Sequence, residues 1–154
     1  MKIQLLLVGK TSEAYLKEGI DIYLKRLSNY IPVSVDVVLI SSAKDSRKAI
    51  QEEGKNIQSK LSAGDFIIVL DEKGKEIGSK QFAVHFQKWM NQGIARIVFI
   101  IGGPFGISSE LKEKANLILS VSKFTLTHQM VRLLLVEQIY RAMTILKNES
   151  YHHE

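Results

Sequence analysis

Two uninterrupted apolar runs, FIIVLD at 66–71 and RIVFII at 96–101, most constrain what this chain can fold into. A strand with one wet face alternates apolar and polar residues, whereas a run that is apolar throughout needs cover on both faces. Helices must supply that cover, and residues 12–30, 46–62 and 79–92 have the pattern to form them. Ser12 is placed to cap the first of these helices, and Gly54 weakens the middle of the second. Residues 2–8 and 33–40 read as further strands, the latter rich in β-branched side chains. A short helix at 108–115, a weak strand at 117–121 and a last helix at 128–147 complete the series. This alternation predicts an α/β fold in one domain over residues 1–154, a mostly parallel sheet with helices on both faces. Such sheets take ligands beyond the C-terminal ends of their strands. The loops after Asp71, Ile101 and Val121 are therefore the places to look.

Composition narrows the setting. With no cysteine among 154 residues, disulfides and thiolate metal sites are excluded, and a reducing cytoplasm is the expected compartment. No apolar stretch reaches the roughly 20 residues that span a bilayer, so no membrane partner is expected. The net charge is +5, and residues 1–60 hold ten Lys and Arg against seven Asp and Glu. That excess permits an acidic partner such as nucleic acid without requiring one.

Each loop then has its own chemistry. VGKTS at 8–12 follows a strand, but Gln4 stands where a phosphate loop needs its first glycine, so ATP or GTP binding by that route is excluded. In FIIGGPFGIS at 99–108, Gly102 and Gly103 let the backbone approach a ligand where a Cβ would clash, and Ser108 can cap the next helix. G-x-G-x-x-G is absent, which argues against a dinucleotide. Asp71, before a glycine turn at Gly74, reads equally as a ligand acceptor or a turn residue. SVSKFTLTHQMVR at 120–132 gathers hydroxyls, a histidine and an arginine on one loop and helix start. His128 and Arg132 lie one turn apart on one helix face and could grip an anion. No acid is placed to orient His128 as in a hydrolase triad.

The last helix is apolar nearly all round, and a chain of this length has little room to enclose such a terminal segment. A symmetric dimer built on that helix is the expectation. The tail NESYHHE ends in an aromatic, two imidazoles and a carboxylate, and its Tyr151 and His152 suit base stacking and proton transfer. Two adjacent histidines without other ligands make a poor metal site, so no metal is expected.

Taken together, LDEKGK, FIIGGPFG, LSVSKFTLTHQMVRLLLVEQIYRA and NESYHHE resemble the ribosomal RNA large subunit methyltransferase H family. That family is a small-protein branch of the SPOUT methyltransferases, and the resemblance runs over essentially the whole chain. It implies a C-terminal trefoil knot and a cytoplasmic homodimer that binds S-adenosylmethionine. The reaction implied is methylation of N3 of a pseudouridine in 23S-type ribosomal RNA, on the assembled ribosome. Leu70, Gly102 and the loop Val121, Ser122, Lys123, Phe124, Thr125 and Leu126 would contact the cofactor, largely through backbone groups, with Gly103 beside them. His128, Arg132, Tyr151 and His152 are the catalytic candidates, His152 as the mobile base and Arg132 as the charge partner. Thr127 departs from the family pattern, which has proline before the histidine.

Overall fold

The computed structural model describes residues 1–153. Ten elements alternate along the chain: β1 (Lys2–Val8), α1 (Ala14–Leu27), β2 (Val33–Val38), α2 (Ser46–Gln58), β3 (Phe66–Glu76), α3 (Ser79–Asn91), β4 (Arg96–Ile101), α4 (Ser109–Lys114), β5 (Leu117–Ser120) and α5 (His128–Leu146). The strands form one sheet in the order β2-β1-β4-β3-β5, with every pairing parallel. Successive side chains of a strand point to opposite faces. Leu5, Leu7, Phe99 and Ile101 accordingly pack beneath α1, α3 and α5, while Leu6, Val8, Val98 and Ile100 meet Ile57 of α2 and Leu111 of α4. That is why the run at 96–101 is apolar throughout: both of its faces are covered.

Local expectations change in three places. Ser12 does not cap α1, which begins at Ala14 without a side-chain cap. Instead its backbone N–H donates to Gln129 Oε1 at 2.9 Å, and its hydroxyl accepts from Gln129 Nε2 at 2.8 Å. Gly54 is buried, and a Cβ there would stand 3.1 Å from Ser108 Oγ, so its helix cost is set against close packing on the β4–α4 loop. The turn expected at Gly74 is a bulge inside a longer β3. Leu70 and Lys75 both pair with Leu119, so the residues between them leave the ladder. A Cβ on Gly74 would lie 2.7 Å from the Leu119 carbonyl carbon, and its glycine serves that close approach.

The argument from lack of room also needs correction. α5 packs on the sheet and between α1 and α3, and none of its side chains is exposed. Gly19 makes this possible on the α1 side, because a Cβ there would stand 2.9 Å from Leu133 Cδ1. The helix is apolar all round because its own chain covers it on three sides.

Candidate active site

The C-terminal ends of β3, β4 and β5 open onto a crevice of about 810 Å³. The β3 bulge, the β4–α4 loop and the β5–α5 loop wall it, together with the start of α1 at Glu13, Tyr15 and Leu16 and the first turn of α5. In the β4–α4 loop, Gly106 (φ +88°) turns the chain back, and its N–H donates to the Gly103 carbonyl at 3.0 Å. A Cβ on Gly102 would fall 2.7 Å from both the Gly106 carbonyl oxygen and Ile107 Cγ1. Glycine is therefore a steric necessity at 102. Behind Gly103 lies Glu53 of α2, only 3% exposed. Its Oε1 accepts from the Ser41 N–H at 2.9 Å, while Oε2 has no partner among the described residues and would lie 3.4 Å from a Cβ on Gly103. Nothing in the sequence marks Glu53, since a carboxylate on a polar helix reads as solvated.

The bulge and the last loop meet across the mouth. The Asp71 carboxylate takes an ion pair from Lys112 at 2.5 Å and the Lys73 N–H at 2.8 Å. Burial pushes that carboxyl up, but the Lys112 and Lys73 bonds and charges outweigh it and hold it below the usual aspartate value. Thr125 Oγ1 donates to Glu72 at 3.2 Å, joining the bulge to the β5–α5 loop. The other hydroxyls of that loop shape it internally. Ser120 donates to the Ser122 carbonyl at 2.8 Å, Ser122 accepts from the Phe124 N–H at 2.9 Å, and Thr127 caps α5 by accepting from the Met130 N–H at 3.1 Å. A proline at 127 would lack that side-chain cap.

Of the residues singled out from sequence, Leu70, Gly102, Gly103, Val121, Ser122, Phe124, Thr125, Leu126 and His128 all line the crevice. Lys123 lies outside it, exposed and 3.5 Å from Glu76. Arg132 also lies outside it. Only 1% exposed, it turns toward the start of the chain, donating to the Val8 carbonyl at 2.6 Å and to Thr11 Oγ1 at 2.9 Å. Among the described residues its Nε has no partner, and no carboxylate pairs with its guanidinium. Burial lowers the pKa of Arg132, and burial followed by the charge of Arg132 lowers that of His128. His128 is thus held as a neutral imidazole near pH 7. With Gln129 on Ser12, the first turn of α5 is stitched to the β1–α1 loop, a role for Gln129 that sequence reasoning missed.

Tyr151 and His152 lie elsewhere, where α1 meets α5. The Tyr151 hydroxyl is 3.0 Å from the Tyr23 hydroxyl and 3.0 Å from Glu137 Oε1, and its ring packs edge-on against Tyr140. Arg141 lies over that ring, 4.6 Å from its centroid, and its Nη1 is 3.3 Å from His152 Nδ1. Neither tail residue reaches the crevice of its own chain. Among the described residues there is no group of three or more potential metal ligands and no helix long and apolar enough to cross a membrane.

Comparison with known proteins agrees with this geometry. The family described as predicted SPOUT methyltransferase matches residues 1–152. A ribosomal RNA large subunit methyltransferase H from Parabacteroides distasonis is 46% identical, covering 100% of both chains. The protein of that name from Christiangramia forsetii is 44% identical, covering 99% of both. Among solved structures, a probable methyltransferase from Bordetella pertussis superposes with a TM-score of 0.58 at 7% identity, over 92% of this chain and 94% of that one. A probable methylase family protein from Haemophilus influenzae gives 0.56 at 13% identity, over 99% of this chain and 70% of that one. At such identities the structural likeness speaks for the fold alone.

Proposed function

The chain belongs to the SPOUT methyltransferases, in the ribosomal RNA large subunit methyltransferase H family, and from that premise we propose that it transfers the methyl group of S-adenosylmethionine to N3 of a pseudouridine in large-subunit ribosomal RNA. The assembled ribosome is the acceptor, and the cytoplasm is where the two meet. The observation that carries this reading is the glycine-walled crevice at the strand ends. Its volume of about 810 Å³ suits a nucleoside-sized cofactor, and its β4–α4 wall closes on itself only because residue 102 carries no Cβ.

Leu70 and Leu126 offer apolar surface to an adenosine, and the main chain at Gly102, Gly103 and Val121 to Thr125 offers donors and acceptors to its polar edges, with Lys123 at the rim. When bound, S-adenosylmethionine supplies a methyl group activated by its sulfonium, so the protein's task is chiefly alignment. The N3 proton must be taken up, and a developing negative charge on the base must be met. His128, neutral and on the crevice wall, can accept a hydrogen bond from the base. Arg132 does not touch the crevice and contributes through its field, as a positive charge beneath the wall with no carboxylate partner among the described residues. His152 takes the proton and Tyr151 stacks on the base in the crevice of a second copy, the two chains pairing on the α1–α5 side, where Tyr15 and Ile22 are exposed.

The knot belongs to this reading as well. The chain leaves β5 at one edge of the sheet and crosses the ends of β3 and β4 before Arg132 meets Val8 at the end of β1, a path that suits threading.

Two measurements test the reading. S-adenosylmethionine should bind the unmodified protein and fail to bind Gly102→Ala in equilibrium titration. Equal affinity for both would remove the crevice as its site. A heterodimer of Gly102→Ala with a chain lacking residues 150–154 keeps one crevice that is both intact and served by a full tail, so transfer should recover toward half. No recovery would show that tail and crevice act within one chain.

A further inference from the structure

Two strands from the crevice, on the same edge of the sheet, the connection from β2 to α2 exposes an unusual surface. Leu39 is 79% exposed and Ile40 53%, at the end of a strand where apolar side chains are normally covered. Lys44, Arg47 and Lys48 follow at once, all exposed and with no ion pair among the described residues. Asp45 is the single carboxylate within residues 39–48, and its side chain caps α2 by accepting the Lys48 N–H at 2.8 Å. Arg47 and Lys48 stand in the first turn of α2, which holds no acidic residue. Cations there face the positive end of the helix dipole, an arrangement that works against folding. Lys10, exposed and likewise without an ion pair, lies on the β1–α1 loop between this surface and the crevice.

The surface is built, not slack. The Ser41 N–H donates to Glu53 at 2.9 Å, the Ser41 hydroxyl bonds Glu52, and the Ala43 N–H donates to Ser41 Oγ at 3.0 Å. Glu53 is also the residue behind Gly103, so the side chain that holds the exposed loop lies at the back of the crevice wall. Neighbouring strands lie about 4.8 Å apart, which puts the ends of β2 and β4 about 10 Å from each other.

We propose that residues 39–48, with Lys10, form the docking surface for the sugar-phosphate backbone and an unstacked base of the RNA that enters the crevice. The proposal rests on the function proposed above. Charge decides the occupant: cations of one sign, unpaired and unfavourable to the fold, are complementary to a polyanion. The exposed Leu39 and Ile40 side chains beside them offer an apolar face on which an unstacked base can rest, with the Arg47 guanidinium plane nearby to stack on it. A protein partner would need acidic side chains in the same register.

The test is the salt dependence of binding to naked large-subunit ribosomal RNA and to ribosomes, with methyl transfer measured in parallel. Lys44→Gln/Arg47→Gln/Lys48→Gln is compared with Lys55→Gln/Lys60→Gln/Lys88→Gln, which removes equal charge at the opposite edge of the sheet. The first variant should bind RNA roughly ten- to a hundredfold more weakly at low salt, with a log–log slope shallower by about 2–3. Its KM for ribosomes should rise while kcat and cofactor affinity hold, and its thermal midpoint should stay level or rise. Identical slopes for the two variants would overturn the proposal. So would weakened binding to ribosomes with unchanged binding to naked RNA, which would assign the surface to a protein. If the unmodified protein binds RNA through this surface but transfers no methyl group, the docking site stands and the proposed reaction falls.

Discussion

The two ends of α5 solve opposite problems with the same residue type. At the C-terminal end, Arg141 is paired with Glu137 one turn away, at 2.6 Å through Nη2 and 3.1 Å through Nε, and the tail closes over the pair. At the N-terminal end, Arg132 is more deeply buried, and among the described residues a carbonyl and a hydroxyl receive it. A paired, partly wet arginine adds little to stability, whereas a buried one without a carboxylate is retained at a desolvation cost. The second arrangement makes sense where a fixed positive charge and a fixed loop are both useful, as beside a crevice where the proposed reaction would develop an anion. The first makes sense for a segment that must hold its place and still be able to let go.

Substitution separates the two ends. Arg132→Ala should cost about 2–4 kcal/mol of stability, since it opens a cavity and strands the Val8 carbonyl. Arg132→Met should restore much of that stability while leaving S-adenosylmethionine binding impaired, because it fills the space but releases the β1–α1 loop. Denaturant unfolding and cofactor titration of the pair check this. Equal recovery of both properties would reduce Arg132 to a packing residue.

Gly102→Ala comes next, at about 1–3 kcal/mol, because its Cβ meets backbone that cannot yield. Arg141→Ala should cost about 1 kcal/mol, through the ion pair and the Tyr151 ring contact, and leave cofactor affinity unchanged. A larger cost for Arg141→Ala than for Arg132→Ala would invert the comparison.

The smallest expected effect is a slope with pH. The native pKa of His128 is below its ordinary value of 6.5, so between the two values the unfolded chain binds the extra proton. Stability is therefore lost as pH falls from 6.5 toward the native value. His128→Gln should flatten the pH dependence of unfolding in that window. Some slope should remain, because burial and then Lys75 and Lys88 lower the pKa of His85 in the same direction. An unchanged slope would mean that His128 is solvated.

How much of this was legible in the sequence follows from the range of each force. The element order and the three loops at the strand ends were readable, because apolar runs that need cover on both faces leave few alternatives. The loop after Val121 was readable as a strand-end loop for the same reason, whereas the particular residues Val121 to Leu126 came from the family resemblance, and of these Lys123 lies outside the crevice. What escaped depends on contacts between distant residues. Gly74 looks like a turn because a glycine that turns and a glycine that lets two strands approach are the same letter. Ser12 precedes a helix and so looks like a cap, but Gln129, far along the chain, takes its hydrogen-bonding groups. Arg132 read as a ligand-facing cation because its actual acceptors, a carbonyl and a threonine, leave no trace in charge pattern. Tyr151 and His152 read as crevice residues from their chemistry, yet in their own chain they rest on Glu137, Tyr23 and Arg141.

The most direct test of the whole account is transfer of labelled methyl from S-adenosylmethionine to ribosomes, separated subunits and naked ribosomal RNA from cells that lack the corresponding modification. The account predicts label confined to large-subunit RNA, strongest on whole ribosomes, and mapping to N3 of a pseudouridine. Label on another base or RNA, or none despite confirmed cofactor binding, would contradict it.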